Sequence, residues 1–76
     1  MLVPFAPRRS SCIRQVQYDT LSDRPGSVFV HITMEGRRTY VYRIEYSELA
    51  DFMVAPSRGR YYVYAVKAKY DYLRKY

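Results

Sequence analysis

The stretch that decides the fold is Ser27-Val28-Phe29-Val30-His31-Ile32-Thr33-Met34-Glu35-Gly36-Arg37-Arg38-Thr39-Tyr40-Val41-Tyr42-Arg43-Ile44. Val28, Val30, Ile32 and Met34 alternate with Phe29, His31 and Thr33, the period of two that a strand shows when one of its faces is buried. Glu35-Gly36 then supplies a hairpin turn, with Gly36 free to take a positive φ. Residues 37–44 return as the next strand, with Tyr40, Tyr42 and Ile44 on one face and Thr39, Val41 and Arg43 on the other.

Upstream of this hairpin, residues 12–18 read as a first strand. Val16 and Tyr18 share a face and Ile13 is out of phase with them, so a bulge is expected near the start. Asp19 to Gly26 is a loop closed by Pro25-Gly26. Residues 1–9 read as a flexible basic arm, because Pro4 and Pro7 favour an extended backbone. Downstream the period changes at Tyr46. Ser47 is the expected N-cap of a short helix, Glu48 and Asp51 fall early in it, and Leu49, Phe52 and Met53 recur at helical spacing. Pro56 ends that helix. Ser57 can cap a second helix over residues 60–75, with Tyr62, Val66, Tyr70 and Leu73 on one face. The expected fold class is α+β: a small three-stranded antiparallel sheet with one short and one longer C-terminal helix packed on one face, forming a single domain over residues 10–76.

Composition narrows the function. Ten of the 76 residues are Tyr, and 13 Lys and Arg stand against seven acids, a net charge of +6. That charge is segregated: +3 over residues 1–18, −2 over 19–51 and +5 over 52–76. Positive ends of this kind fit phosphate backbones or acidic protein surfaces. A chain this short buries only ~60 % of its unfolded surface, which leaves little room for a deep substrate pocket beside a core. The single Cys12 cannot form an internal disulfide, which suits a reducing compartment. The apolar start is broken by prolines, and no stretch is long enough to span a membrane, so a cytoplasmic protein is expected.

The candidate binding residues are basic, aromatic or backbone-exposing. Tyr40 and Tyr42 point the same way from one strand; they can stack bases or pack as core. Ser57-Arg58-Gly59-Arg60-Tyr61 can be an anion site at a helix start or a capped connector with solvated arginines. Arg8 and Arg9 on the arm can reach an acidic partner or sit on a disordered terminus. Arg37 and Arg38 lie at the hairpin tip. Lys67 and Arg74, with Tyr64, Tyr72 and Tyr76, can form a second basic and aromatic stripe or a solvated helix face. His31 has no metal-ligand cluster around it and reads as an outward strand residue. Cys12 reads as a packed thiol. No phosphate loop, nucleophile elbow or supported carboxylate pair is present, so no cofactor, metal or catalytic activity is expected.

The order Ser10-Ser11-Cys12-Ile13, Val16-x-Tyr18-Asp19, Gly36, Tyr40-Val41-Tyr42 and Ser57-Arg58-Gly59-Arg60-Tyr61-Tyr62 resembles the KTSC domain. That family is named for the C-terminal extension of some lysyl-tRNA synthetases and also occurs as small stand-alone bacterial and phage proteins. The resemblance covers about residues 10–70. Its central Tyr-x-Tyr corresponds to Tyr40 and Tyr42, and its Ser-x-Gly-Arg-aromatic segment to Ser57, Gly59, Arg60 and Tyr61. The chain departs from the pattern at Ile44-Glu45, where Val-Pro is usual, and at Val63, where Asn is common. The resemblance implies a module that works near nucleic acid and implies no chemistry. Two readings follow: a non-catalytic RNA-associated module acting through its basic and aromatic residues, or a phage-type regulator that docks on the host RNA polymerase by protein contacts. Tyr and Arg serve both kinds of interface.

Overall fold

In the computed structural model, residues 2–4, 13–19 and 25–76 are described. Five strands form one antiparallel meander: β1 (Leu2–Pro4), β2 (Ile13–Asp19), β3 (Ser27–Met34), β4 (Thr39–Glu45) and β5 (Arg74–Lys75), in that spatial order. Helix α1 (Tyr46–Val54) follows β4 directly. A second helix, α2 (Arg58–Tyr61), runs on as a π-helical segment, Tyr62–Lys67. The architecture is α+β, but the sheet has five strands where the sequence pattern predicts three.

The extra strands come from the two ends. Leu2–Pro4 pairs with β2 through Leu2 opposite Asp19 and Pro4 opposite Gln17. At the other end, residues 60–75 are not one helix. Helical structure stops near Lys69, and the chain turns back so that Lys75 pairs with Tyr40 and Arg74 with Val41. Leu73 N–H donates to the Val41 carbonyl at 2.7 Å, and Tyr76 and Thr39 exchange backbone bonds at 2.7 and 3.1 Å. Local preference over Lys67-Ala68-Lys69-Tyr70 favours continued helix. The unpaired edge of β4 offers a row of backbone partners, and those tertiary bonds prevail.

The central hairpin follows its pattern. Val28, Val30 and Ile32 are buried beneath the helices, and Phe29, His31 and Thr33 face the other way, half-buried. Register runs from Ser27 opposite Glu45 to Thr33 opposite Thr39. In β2 the register shifts between Ile13 and Gln15, and this bulge lets Ile13 and Val16 both enter the core despite their spacing. Phe52 and Leu49 of α1, and Tyr62 and Val66 of the second helical segment, close over Tyr42 and Ile44 of β4.

Two local expectations change. The α1 N-cap is Glu45, not Ser47, which lies inside the helix; the Glu45 N–H donates to the Glu48 carboxylate at 3.4 Å, a capping-box contact. At the hairpin tip Arg37, not Gly36, takes the left-handed conformation, with φ 65°. Arg37 N–H donates to the Met34 carbonyl at 2.9 Å and Met34 N–H to the Arg38 carbonyl at 2.8 Å, so the loop has three residues and its left-handed position is the last of them. A side chain in that conformation costs about 1–2 kcal/mol relative to the right-handed form. Replacing Arg37 by Gly is expected to raise the unfolding free energy by about 1 kcal/mol, after the added chain entropy of Gly is deducted. Urea denaturation of the two proteins checks this.

Candidate functional site

The candidate residues divide between the two faces of the sheet. On the helix-bearing side, Arg38, Tyr40, Tyr42 and Lys67 come together. With Tyr62, Tyr70, Asp71 and Tyr72 they line an open concavity of about 450 Å³. Within it Tyr42 is core: 2 % exposed, with its hydroxyl 2.8 Å from that of Tyr62 and the two rings edge to face at 5.8 Å. Burial raises the Tyr42 pKa, outweighing the opposing hydrogen bond from Tyr62, so the phenol stays neutral. Tyr40 is half-buried. The Tyr72 ring meets it edge-on at 5.2 Å and the Lys75 ammonium lies 5.7 Å from its centroid. The concavity is thus walled by phenol rings and rimmed by Arg38 and Lys67, both exposed.

The segment Ser57 to Tyr61 is built differently from an anion cradle. Ser57 caps α2, its hydroxyl accepting from Arg60 N–H at 3.3 Å. Gly59 is buried inside the helix. Arg58 is 6 % exposed, and its guanidinium donates to the Met53 carbonyl at 3.5 Å, at the C-terminal end of α1. α1 carries no basic residue in its last turn. Arg58 supplies that charge from the next element, where it meets the negative end of the dipole. Tyr61 donates to the Glu48 carbonyl at 3.1 Å and packs on Phe52 with centroids 5.0 Å apart. Only Ser57 and Arg60 of this segment are exposed. Arg37 is exposed at the hairpin tip. Arg8, Arg9 and Cys12 lie outside the described residues.

Glu48 is a junction to which the sequence reading gives only a helix-dipole role. Its carboxylate accepts from the Tyr70 hydroxyl, from Lys69 at 3.1 Å and from Glu45 N–H. Burial alone would raise its pKa; the three donors outweigh burial and lower it. Burial raises the Tyr70 pKa, reinforced by the carboxylate beside it. The spacing from 48 to 70 carries no sequence signal, because the contact exists only after the second helical segment has packed.

On the other face of the sheet, which no helix covers among the described residues, the side chains fall into cross-strand rows. Asp19, Phe29 and Arg43 form one; Gln17, His31, Val41 and Arg74 the next; Gln15, Thr33, Thr39 and Tyr76 the third. A second concavity of about 480 Å³ lies here, lined in part by Phe29, His31, Arg43, Arg74 and Tyr76. The Arg43 guanidinium carbon lies 5.2 Å from the Phe29 ring centroid, a cation–π contact, and Arg74 donates to the Tyr76 hydroxyl at 3.5 Å. Burial lowers the His31 pKa, partly offset by Asp19. Of these residues only Arg74 and Tyr76 stand among the sequence candidates. Period two already put Phe29, His31 and Arg43 on the face opposite Val30 and Tyr42; what was missing was knowledge of which face the helices leave open. The rings and guanidinium groups of both concavities can stack on planar groups and hold anions. Among the described residues no group of three or more His, Cys, Asp and Glu could hold a metal ion.

The paired hydroxyls of Tyr42 and Tyr62 set a clear expectation. Either single Phe substitution leaves a buried hydroxyl without its partner and should cost about 1–3 kcal/mol, whereas the double Phe variant should lie within about 1 kcal/mol of the wild type. A double-mutant cycle by urea denaturation measures this. Glu48 gives a pH signature. Its folded pKa lies below the ordinary value of 4.5, so its contribution is present above that value and is lost as pH falls through the folded pKa. Glu48→Gln should lower the melting temperature at pH 7, and the deficit should shrink steadily below pH 4.5 in thermal melts. In comparisons with known proteins, no family model, no curated protein and no solved structure matches this chain.

Proposed function

We propose that this chain is a small non-catalytic binding module for nucleic acid, RNA in the first place. The observation that carries the reading is the mixture of exposed cations and accessible rings around the C-terminal segment. Lys67, Lys69, Arg74 and Lys75 are all exposed, as are Tyr64, Tyr72 and Tyr76, and Arg38 approaches from the hairpin side. Ammonium and guanidinium groups hold phosphates without regard to sequence, and phenol rings take bases by stacking, at ~1–3 kcal/mol per base. Of the acids in residues 52–76 there is one, Asp71, so this end keeps its positive field. The resemblance to the KTSC pattern, read from the sequence, points in the same direction. No helix among the described residues is long and apolar enough to cross a membrane.

One observation favours a second reading, a phage-type regulator docking on the host RNA polymerase. Val54 is 69 % exposed, Val63 43 % and Tyr64 74 %, so the helices keep apolar surface in water. Exposed apolar groups of this kind serve protein contacts more than nucleic acid.

The test is fluorescence anisotropy of a labelled single-stranded RNA titrated with the protein across salt. Binding should weaken linearly on a log–log plot, and Arg38→Gln with Lys67→Gln should flatten the slope by about 1.4 if both cations hold phosphates. Absence of binding at low salt, with retention of polymerase from nuclease-treated bacterial lysate, would replace the first reading by the second.

A further inference from the structure

We infer that the helix-free face of the sheet is a platform for a single-stranded RNA segment, with Phe29, His31 and Tyr76 as the base-stacking rings and Arg43 and Arg74 as the phosphate clamps. This rests on the nucleic-acid reading above and specifies the surface and the form of the ligand.

The argument starts from the rows. Phe29 and His31 stand at i and i+2 on β3, the middle strand of the sheet, so their rings project from the same face. Both are half-buried, with ring surface left accessible. Tyr76, exposed, stands in the third row at the β5 edge. The three rings therefore follow a line across the sheet from row to row, as successive unstacked bases require. Arg74 pairs with Val41, and Arg43 lies two residues along β4 on the same face, so the two guanidinium groups are diagonal neighbours, about 7–8 Å apart at the backbone. Like charges at that spacing repel, and an anion between them relieves the repulsion. Both are held in place: Arg43 stacks on Phe29, which leaves the N–H edge of its guanidinium directed outward, and Arg74 is bonded to Tyr76.

The polar surroundings fit the same ligand. Gln15, Gln17, Thr33 and Thr39 fill the remaining places in the second and third rows and carry donors and acceptors suited to base edges and ribose hydroxyls. Asp19 closes the first row beside Phe29, across β3 from Arg43, and as an acceptor it suits the amino group of a stacked base. A duplex is excluded as the ligand by geometry, since its paired bases present no free ring faces to a sheet.

The test uses the full chain and a labelled twelve-nucleotide single-stranded RNA, with a duplex of the same sequence beside it. The single strand should bind at least tenfold more tightly than the duplex. Phe29→Leu, which keeps apolar volume and removes the ring, should weaken binding about tenfold, and Phe29→Tyr should restore it. Arg43→Gln with Arg74→Gln should reduce the salt slope by about 1.4. Ser47→Ala, on the outer side of α1, should bind as the wild type does. Amide shifts in an NMR titration should cluster at residues 29, 31, 43, 74 and 76, which tests the surface even if a variant folds poorly. Wild-type binding to RNA with no effect of the Phe29 and arginine variants, and shifts confined to the tyrosine-lined concavity, would overturn the platform and leave the nucleic-acid reading standing. Absence of binding to any nucleic acid would overturn both.

Discussion

A phenol buried in a small core must find a partner for its hydroxyl, and the arrangement of the helical layer follows from that requirement. The chain has few large aliphatic residues with which to cover the Val28, Val30 and Ile32 face, and it uses tyrosine instead. Tyr42 and Tyr62 satisfy each other across the sheet–helix boundary. Tyr61 and Tyr70 both turn to Glu48, one to its carbonyl and one to its carboxylate. Glu48 also joins the start of α1 to the end of the second helical segment, so a single acid ties three elements through hydrogen bonds.

This solution has a consequence for function. Rings whose hydroxyls are engaged in the core are not free to serve a ligand, so Tyr42 and Tyr61 belong to the structure. Arg58 joins them, because the end of α1 requires a cation and this arginine supplies it from the following element. What remains outward on the helix side is the concavity between Arg38, Lys67 and the edges of Tyr40 and Tyr72. What remains on the other side is a set of strand positions that carry no helix, among them Phe29, His31 and Arg43. The C-terminal segment contributes to both sides, since Tyr72 and Lys75 turn toward Tyr40 while Arg74 and Tyr76 turn toward Val41 and Thr39.

The pairing of β5 with β4 is what gives the chain this two-sided form. A continued helix over residues 60–75 would have carried Arg74 away from the sheet and left the β4 edge open to other chains. By turning back after Lys69, the chain closes that edge with a short, basic strand and brings Arg74 diagonal to Arg43. The same turn lets Leu73 bond β4 and seats Tyr72 against the two hairpin tyrosines.

The sequence by itself determined the elements whose cause is local. The hairpin of Ser27 to Ile44 follows from strict alternation, the β2 bulge from the phase of Ile13 against Val16, the end of α1 from Pro56, and the Ser57 cap from its hydroxyl before a helical run. Tertiary structure decided what depends on distant partners: the outer strands β1 and β5, the burial of Arg58, the convergence of Tyr61, Tyr70 and Lys69 on Glu48, and the left-handed turn at Arg37 in place of Gly36. Periodicity assigns a side chain to one face of an element, but only the packed chain decides which face stays in water. That choice is a competition between backbone edges and ring hydroxyls far apart in sequence, and no local window contains both competitors.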